Sequence, residues 1–267
     1  MLLRNKIVVI TGAAKGLGAA IAKKCAMAGA TLVLADRLYN RVLSSKRKRS
    51  PGTQSMSVPC DVSNLADLRR LVDLAVARFG RIDGLVNNAG VNFAKPFLQV
   101  KERDFDHVIG VDLKGAFFLT QYCAQQMRKQ RPQGGVVVQI ASVHTIASLS
   151  GATPYDAAKH GLVGFSKAAA VELANKHVRV NILSPGLCRT EIWKDIQAAA
   201  PSKKACRDYW NSNIPGGRLI EPEEIADATV FLLSDLSRAI TGANIVADLG
   251  MTSMLVSREP YRSRTIQ

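Results

Sequence analysis

The stretch "KIVVITGAAKGLGAAIAKKCAMAG" (6–29) decides the fold. It starts with an apolar, β-branched run that predicts a buried strand, and it ends in an Ala-rich helix pattern. Between them lies the turn "TGAAKGLG" (11–18), where Gly12, Gly16 and Gly18 let the backbone turn sharply and approach a pyrophosphate. Free N–H groups at the start of the helix favour an anion. We predict a dinucleotide site here; the alternative is a tight turn that happens to be glycine-rich.

Strand patterns and helix patterns alternate along the rest of the chain. Strands are predicted at 31–36, 56–62, 82–90, 135–142, 178–186 and 242–250, and helices at 64–79, 110–130, 154–176 and 221–234. Near-continuous apolar strands that alternate with helices predict a parallel sheet covered on both faces. We therefore predict a single-domain α/β fold over residues 1–255, a doubly wound parallel sheet of about seven strands of the Rossmann type. A basic tail, 256–267, follows.

Composition narrows the functional classes. The net charge is +15, and part of it lies in "SSKRKRSPG" (44–52) and in the tail. The run at 46–49 has no interleaved aromatic residues and no nucleic-acid motif accompanies it, so a solvated loop is favoured over nucleic-acid binding. Acidic or phosphorylated small molecules remain possible partners. No apolar stretch reaches the length of a membrane span. Five scattered cysteines and a first strand in place of a signal peptide predict a cytoplasmic protein with reduced thiols.

The end of the second strand bears on the type of dinucleotide. Asp36 stands where a carboxylate would bind the adenosine ribose hydroxyls and repel a 2′-phosphate, which favours NAD. Lys15 and Arg37 flank the same place and either could pair with that phosphate, so NADP stays possible. Asp36 should outweigh them, because a like-charge contact is costly and exposed ion pairs are weak. Asp61 follows the third strand and predicts either a contact with the adenine or a helix N-cap.

A tyrosine and a lysine share one face of a predicted helix in "TPYDAAKHG" (153–161). The i, i+4 spacing places Lys159 beside Tyr155. A phenol beside an ammonium is suited to giving and taking a proton, whereas the alternative is an ordinary amphipathic tyrosine with a surface lysine. Ser142 ends a predicted strand, at the carboxyl edge where open α/β sheets bind ligands. The three side chains together predict acid–base chemistry.

With these motifs in view, the chain resembles the short-chain dehydrogenase/reductase family over nearly its whole length. The motifs are "TGAAKGLG", "NNAG" (87–90), "IAS" ending at Ser142, "YDAAK" (155–159) and "SPGLCRT" (184–190). The resemblance implies a nicotinamide cofactor and hydride transfer at an alcohol or ketone. It also implies that Tyr155 is the acid/base, that Ser142 polarises the substrate oxygen, and that Lys159 binds the nicotinamide ribose and favours the phenolate. A homotetramer is implied as well, built through 112–130, 154–176 and 222–248.

The resemblance extends to the cofactor site. The positions that it implies are Gly12, Lys15, Gly16, Leu17, Gly18, Asp36, Arg37, Asp61, Val62, Asn88, Ala89, Gly90, Tyr155, Lys159, Pro185, Gly186 and Thr190. Asn87 resembles the residue that steadies the central strands. The Thr190 hydroxyl would bond the nicotinamide carboxamide, or else cap the helix that starts at Glu191.

One position departs from the family. The family usually has Asn in an "NLKG" stretch, and this chain reads "VDLKG", with Asp112. In the family that residue helps to hold a water next to the lysine, largely through its backbone carbonyl, so Asp112 can be harmless. If its side chain approaches Lys159 instead, the anion would steady the ammonium and oppose ionisation of the phenol. We then expect a pH profile shifted to the alkaline side, and we count Asp112 with the catalytic group.

Substrate choice is predicted to lie in the polar segment 187–220, which resembles the mobile lid of the family. Trp193, Tyr209 and Trp210 either wall a pocket there or pack the lid. His144 either faces the substrate or is an ordinary structural histidine. The chain resembles sugar and polyol dehydrogenases, glucose dehydrogenases among them, and also the 3-oxoacyl-carrier-protein reductases, which usually prefer NADPH. A cofactor-binding regulator with weak turnover is a third possibility. Four dispersed histidines predict no metal site.

Overall fold

The computed structural model describes residues 1–38, 40 and 54–255, so the basic run 46–49 and the tail 256–267 lie outside the described residues. The described elements, in chain order, are β1 (Ile7–Thr11), α1 (Gly16–Met27), β2 (Thr31–Asp36), β3 (Ser55–Pro59), α2 (Leu65–Phe79), β4 (Gly84–Asn87), α3 (Glu102–Ile109), α4 (Gly115–Lys129), β5 (Gly135–Ile140), α5 (Thr153–Leu173), β6 (Val178–Pro185), α6 (Glu191–Ala199), α7 (Lys203–Ser212), α8 (Pro222–Leu233) and β7 (Asn244–Ala247).

The strands form one parallel sheet in the order β3-β2-β1-β4-β5-β6-β7, which confirms the predicted fold class. The chain first moves outward from β1 to β3 and then returns to the other side of β1 with β4. Ligands of open α/β sheets bind at such a switch point, beyond the carboxyl ends of the strands.

Both faces of the sheet are covered, because successive side chains of each strand point to opposite faces. On β1, Val8 and Ile10 belong to one apolar cluster, with α1 and α8, while Ile7 and Val9 belong to the other, with α2 and α4. All four side chains are buried. This double burial explains why the strands read as continuous apolar runs in the sequence.

The predicted helix at 110–130 is part of a longer helical segment that begins at Glu102. A π-helical turn, Gly110–Lys114, joins α3 to α4. The first turn of α3 is polar, and the Asp104 carboxylate accepts the backbone N–H of Lys101 at 3.0 Å. Because this first turn is polar, an apolar periodicity in the sequence does not predict that the helix begins there. Two short helices, α6 and α7, also lie within 187–220, where the sequence indicates only a polar segment.

The five cysteines are free thiols. Cys25, Cys60, Cys123 and Cys188 are buried, and burial raises the pKa of each of these thiols to about 12. Cys206 on α7 is partly exposed. Among the described helices, none combines the length and the apolar character that a membrane crossing requires.

A buried polar network fastens the middle of the sheet to α4. The Asn87 side-chain amide donates to Gln139 Oε1 on β5 at 2.9 Å and to Thr120 Oγ1 on α4 at 3.0 Å. Gln139 donates to the same hydroxyl at 2.9 Å, which closes the triangle. The three residues are buried, so each hydrogen bond is formed away from water. The prediction that Asn87 steadies the central strands agrees with this geometry.

Replacing Asn87 by Ala should therefore destabilise the fold. The change leaves the Gln139 oxygen without its donor, and we expect the free energy of unfolding to fall by about 2 kcal/mol. Gln121→Ala, at an exposed position of the same helix α4, is the matched control and should change it by less than about 0.5 kcal/mol. Urea denaturation of both variants measures the difference, and equal stabilities would contradict the assigned role.

Candidate active site

A cavity of about 950 Å³ opens at the carboxyl edge of the sheet. Most of the predicted site residues line it: Gly12, Lys15, Gly16, Leu17, Asp36, Arg37, Asp61, Val62, Asn88, Ala89, Gly90, Ser142, His144, Tyr155, Lys159, Pro185, Gly186 and Thr190. Gly18, Asp112 and Trp193 do not line it, and each has a different surrounding.

The glycine turn is shaped for close approach. Gly12 and Gly16 have φ of +64° and +54°, a region that side chains disfavour. A Cβ on Gly12 would lie 2.9 Å from the Ala89 Cα, and a Cβ on Gly18 would lie 2.0 Å from the Gly12 carbonyl oxygen. Gly18 therefore packs the helix against the turn and does not line the cavity, so its contact with the cofactor stays a prediction. No side chain caps the N-terminus of α1, so its first N–H groups are available to an anion.

Asp36 is fixed at the rim of this turn by two backbone donors. Its Oδ2 accepts the N–H of Ala14 at 2.9 Å and its Oδ1 accepts the N–H of Leu38 at 2.8 Å. The neighbouring Arg37 pairs with Asp61, with 3.6 Å between Nη1 and Oδ2, and Lys15 is exposed. The carboxylate is thus the fixed charge of this region, and one of the two cations already has an acidic partner.

Asp61 does not cap the helix that follows it. The N-cap of α2 is Asn64, whose side chain accepts the N–H of Ala66 at 2.9 Å. Asp61 instead accepts the backbone N–H and the hydroxyl of Ser63, and the Ser63 hydroxyl, the N–H and Arg37 hold the pKa of the Asp61 carboxyl below its usual value, against the effect of burial. Of the two interpretations from the sequence, the contact with a ligand remains.

Ser142, Tyr155 and Lys159 meet on one wall of the cavity. Lys159 Nζ lies 5.3 Å from the centroid of the Tyr155 ring, as the helical spacing predicts. It also donates to the Ile140 carbonyl at the end of β5, at 3.4 Å. Ser142 Oγ accepts the backbone N–H of His144 at 3.2 Å, which leaves its own proton free to be donated.

Asp112 reaches this group from behind, at the π-helical turn. Its Oδ2 lies 3.1 Å from Lys159 Nζ, and the two side chains are 0% and 6% exposed. Its Oδ1 accepts the N–H of Val91 at 2.8 Å. Of the two possibilities for this departure from the family, the structure therefore has the side chain, not only the carbonyl, next to the lysine.

The ammonium of Lys159 is held charged in this buried place. Burial by itself disfavours the charge, but the Asp112 carboxylate and Tyr155 outweigh it and raise the pKa of Lys159 above its ordinary value. A buried cation with one carboxylate partner is a fixed electrostatic element, because losing either partner would leave an uncompensated charge.

Thr190 stands at the N-cap position of α6, yet its side chain makes no capping hydrogen bond. Thr190 lines the same cavity as Pro185 and Gly186, which end and follow β6. The capping role that the sequence left open is therefore absent, and the hydroxyl is available to a ligand.

The three aromatic residues of the lid, residues 187–220, have different surroundings. Trp193 is 3% exposed and packs with Ile214 and Leu219 in a small core of the lid itself. Trp193 does not line the cavity, because α6 buries the indole against the rest of the lid, and its contact with substrate stays a prediction. Trp210 belongs to the cavity wall, and Tyr209 is exposed on α7.

Sequence reasoning missed three acidic residues at or next to the cavity. Asp156 pairs with His144, and Glu191 and Asp195 at the start of the lid line the cavity wall. The pairing of Asp156 with a residue twelve positions earlier depends on the intervening chain folding back, for which the sequence carries no local signal. Within the described ranges no cluster of three or more potential metal-ligating side chains occurs.

Comparison with known proteins agrees with this geometry. A family model described as enoyl-(acyl carrier protein) reductase matches residues 12–252. The chain is 38% identical to the 3-oxoacyl-[acyl-carrier-protein] reductase FabG of Thermotoga maritima, over 94% of this chain and 99% of the relative. It is 33% identical to the L-rhamnose 1-dehydrogenase (NAD(P)(+)) of Azotobacter vinelandii, over 94% and 98%. Among solved structures, levodione reductase superposes with a TM-score of 0.89 at 31% identity, over 94% of this chain and 99% of the other.

Proposed function

The chain is a member of the short-chain dehydrogenase/reductase family and an oxidoreductase of alcohols and ketones, and we propose that it oxidises a secondary alcohol of a sugar or polyol with NAD. The observation that carries the proposal is the meeting of Ser142, Tyr155 and Lys159 on one cavity wall. A regulator without turnover would not need this group. An acidic residue fixed beside the glycine turn is the observation that favours NAD over NADP.

The residues of the cavity fit a nicotinamide dinucleotide. A Cβ on Gly12 would collide with Ala89, and Gly16 has a positive φ, so both positions of the turn are without a side chain. The uncapped start of α1 offers N–H donors to a pyrophosphate. Asp36 would hold the adenosine ribose, and Thr190 the carboxamide. Bound NAD(P) supplies the acceptor or donor of the hydride. Asp61, Val62, Asn88, Ala89 and Gly90 would complete the walls.

Tyr155 is the proposed acid/base. Its phenolate would take the proton of the substrate alcohol during oxidation, and its hydroxyl would give one to the ketone oxygen during reduction. The Ser142 hydroxyl would donate a hydrogen bond to the same oxygen and keep its proton, which holds the reacting carbon in place. Lys159, charged and buried, favours the phenolate over the phenol and would bind the nicotinamide ribose.

Asp112 would moderate this effect. A carboxylate 3.1 Å from the ammonium would cancel part of the positive potential that Lys159 applies to Tyr155. Asp112 does not line the cavity, so it would act through Lys159.

The sugar or polyol assignment is supported by the similarity to the L-rhamnose 1-dehydrogenase and by polar side chains such as Asp195 among the cavity-lining residues. The second candidate is a 3-oxoacyl reductase, which the 38% identity to FabG favours. The lid, 187–220, is the proposed source of selectivity, since α6 and α7 cover the cavity with Glu191, Asp195 and Trp210. The domain is proposed to span 1–255, with a separate tail.

A homotetramer is the proposed assembly. On α4, Phe117 is 42% exposed and makes an edge contact with Phe165 of α5, with 5.2 Å between the ring centroids. An exposed ring on α4 that packs beside a partly buried ring on α5 suits a subunit contact. A cytoplasmic location is proposed from the free thiols.

Replacing Tyr155 by Phe removes the proton donor and keeps the ring. We expect kcat for alcohol oxidation to fall by at least 10³-fold, with the affinity for NADH unchanged within about threefold. NADH formation from a panel of sugars and polyols, together with NADH fluorescence titration, measures both quantities. Tyr209→Phe on the exposed face of α7 is the control. Retained turnover in the Tyr155 variant would contradict the mechanism.

Replacing Asp36 by Asn tests the choice of cofactor. The charge disappears while one side-chain acceptor stays, so a 2′-phosphate is no longer repelled. We expect the ratio of kcat/KM with NAD to kcat/KM with NADP to fall by about tenfold or more. Asp73→Asn, on the outer face of α2, should leave the ratio unchanged. A wild-type preference for NADP would overturn the assignment.

Replacing Asp112 by Asn should move the pH–rate profile of oxidation toward lower pH. Without the carboxylate, the ammonium favours the phenolate more strongly, so activity at pH 7 should rise several-fold relative to the alkaline plateau. Asp106→Asn, an exposed acid on α3, is the matched control. Profiles that coincide for the wild type and the Asp112 variant would show that the side-chain charge is irrelevant.

A further inference from the structure

His144 is held by an acidic partner on the next element. Its Nδ1 lies 2.5 Å from Asp156 Oδ1, and the two side chains are 17% and 13% exposed. The other oxygen of Asp156 accepts the hydroxyl of Ser148. Asp156 lies in the first turn of α5, directly after Tyr155, where a negative charge is favoured by the helix dipole. The carboxylate is thus anchored from two sides and presents one oxygen to the imidazole.

This contact decides which nitrogen of the ring carries the proton. A carboxylate accepts hydrogen bonds, so the proton belongs on Nδ1, and in the neutral ring Nε2 is left with its lone pair. Among the described residues, none forms a hydrogen bond with Nε2, although the side chain lines the cavity. A half-buried acceptor without a protein partner suits a hydrogen-bond donor on a ligand.

The ring is adjacent to both groups proposed to hold the reacting oxygen. Its plane is nearly perpendicular to that of Tyr155, with 5.2 Å between the ring centroids. The backbone N–H of the same residue donates to Ser142 Oγ at 3.2 Å. When Ser142 and Tyr155 hold the reacting oxygen of a substrate, His144 is therefore placed to contact a group on the next carbon.

The charges of the lid indicate that this group is neutral. At the cavity wall, Asp195 of the lid is acidic and disfavours a substrate carboxylate or phosphate, whereas the Glu191 carboxylate lies beside Gly16 of the glycine turn. A hydroxyl satisfies both requirements, since it donates a hydrogen bond and carries no charge.

We propose that His144 selects substrates with a hydroxyl on the carbon next to the reacting one, namely vicinal diols and the matching α-hydroxy ketones, by accepting a hydrogen bond at Nε2. Asp156 and Ser148 are positioning residues, which fix the tautomer and orientation of the ring. This selection rests on the proposed dehydrogenase function and specifies its substrate class.

The test compares pairs of alcohols that differ by this one hydroxyl: 2,3-butanediol with 2-butanol, and 1,2-cyclohexanediol with cyclohexanol. For the wild type, we expect kcat/KM to be at least about tenfold higher for each diol. His144→Leu should bring the ratio near one and change kcat/KM for the mono-alcohols by less than about threefold. His144→Gln keeps an acceptor near the place of Nε2 and should retain part of the preference.

Two further variants separate positioning from folding. Asp156→Asn admits the opposite tautomer, so it should reduce the diol preference mainly through KM while thermal unfolding stays near that of the wild type. His160→Leu, an exposed histidine one turn along α5, is the control and should keep the wild-type ratio.

Equal ratios in the wild type and His144→Leu would overturn the selection and leave the dehydrogenase intact. The same holds if His144→Leu slows diols and mono-alcohols by the same factor, because the ring would then only support Tyr155. If the folded wild type oxidises neither these four alcohols nor any member of the panel of sugars and polyols, the proposed function fails together with the selection.

Discussion

All seven strands of the described part of the chain run in one direction, and the arrangement of the site depends on this constraint. Parallel strands bring their carboxyl ends to a common edge, so the residues that end each strand converge although they are far apart in the chain. The cavity takes one contribution from the end of every strand from β1 to β6: Gly12, Asp36, Asp61, Asn88, Ser142 and Pro185. The helices on both faces keep water from the strands, and the edge is where ligands can enter.

Burying the ion pair of Lys159 and Asp112 costs free energy of desolvation. Two charges removed from water pay a desolvation penalty that their attraction offsets only with good geometry. The pair lies where α5 meets the π-helical turn, beside the end of β5. Its hydrogen bonds and ion pair connect the loop after β4, the turn and the helix. Such a pair contributes little to stability in general, and its value here lies in the potential that it sets at Tyr155.

The parts of the structure that follow from local rules could be predicted from the sequence. These parts are the glycine turn, the succession of apolar strands along the chain and the i, i+4 pairing of Tyr155 with Lys159. Each depends on spacings within one or two elements. The rest depends on tertiary packing. The pairing of His144 with Asp156 needs a loop to fold back, and the burial of Trp193 needs α6 to close on the chain near Leu219. The start of α3 could not be predicted from apolar periodicity, because its first turn is polar.

The π-helical turn at Gly110–Lys114 has an evolutionary consequence. A π turn holds one residue more than an α turn, so α3 and α4 together behave as an α-helix that has gained a residue. Removing that residue would restore the regular helix but rotate one side of it by about 100° relative to the other. Either Val108 would leave the core or Asp112 would leave Lys159. These two contacts therefore restrict the length of the segment. Substitutions are tolerated there more easily than insertions or deletions.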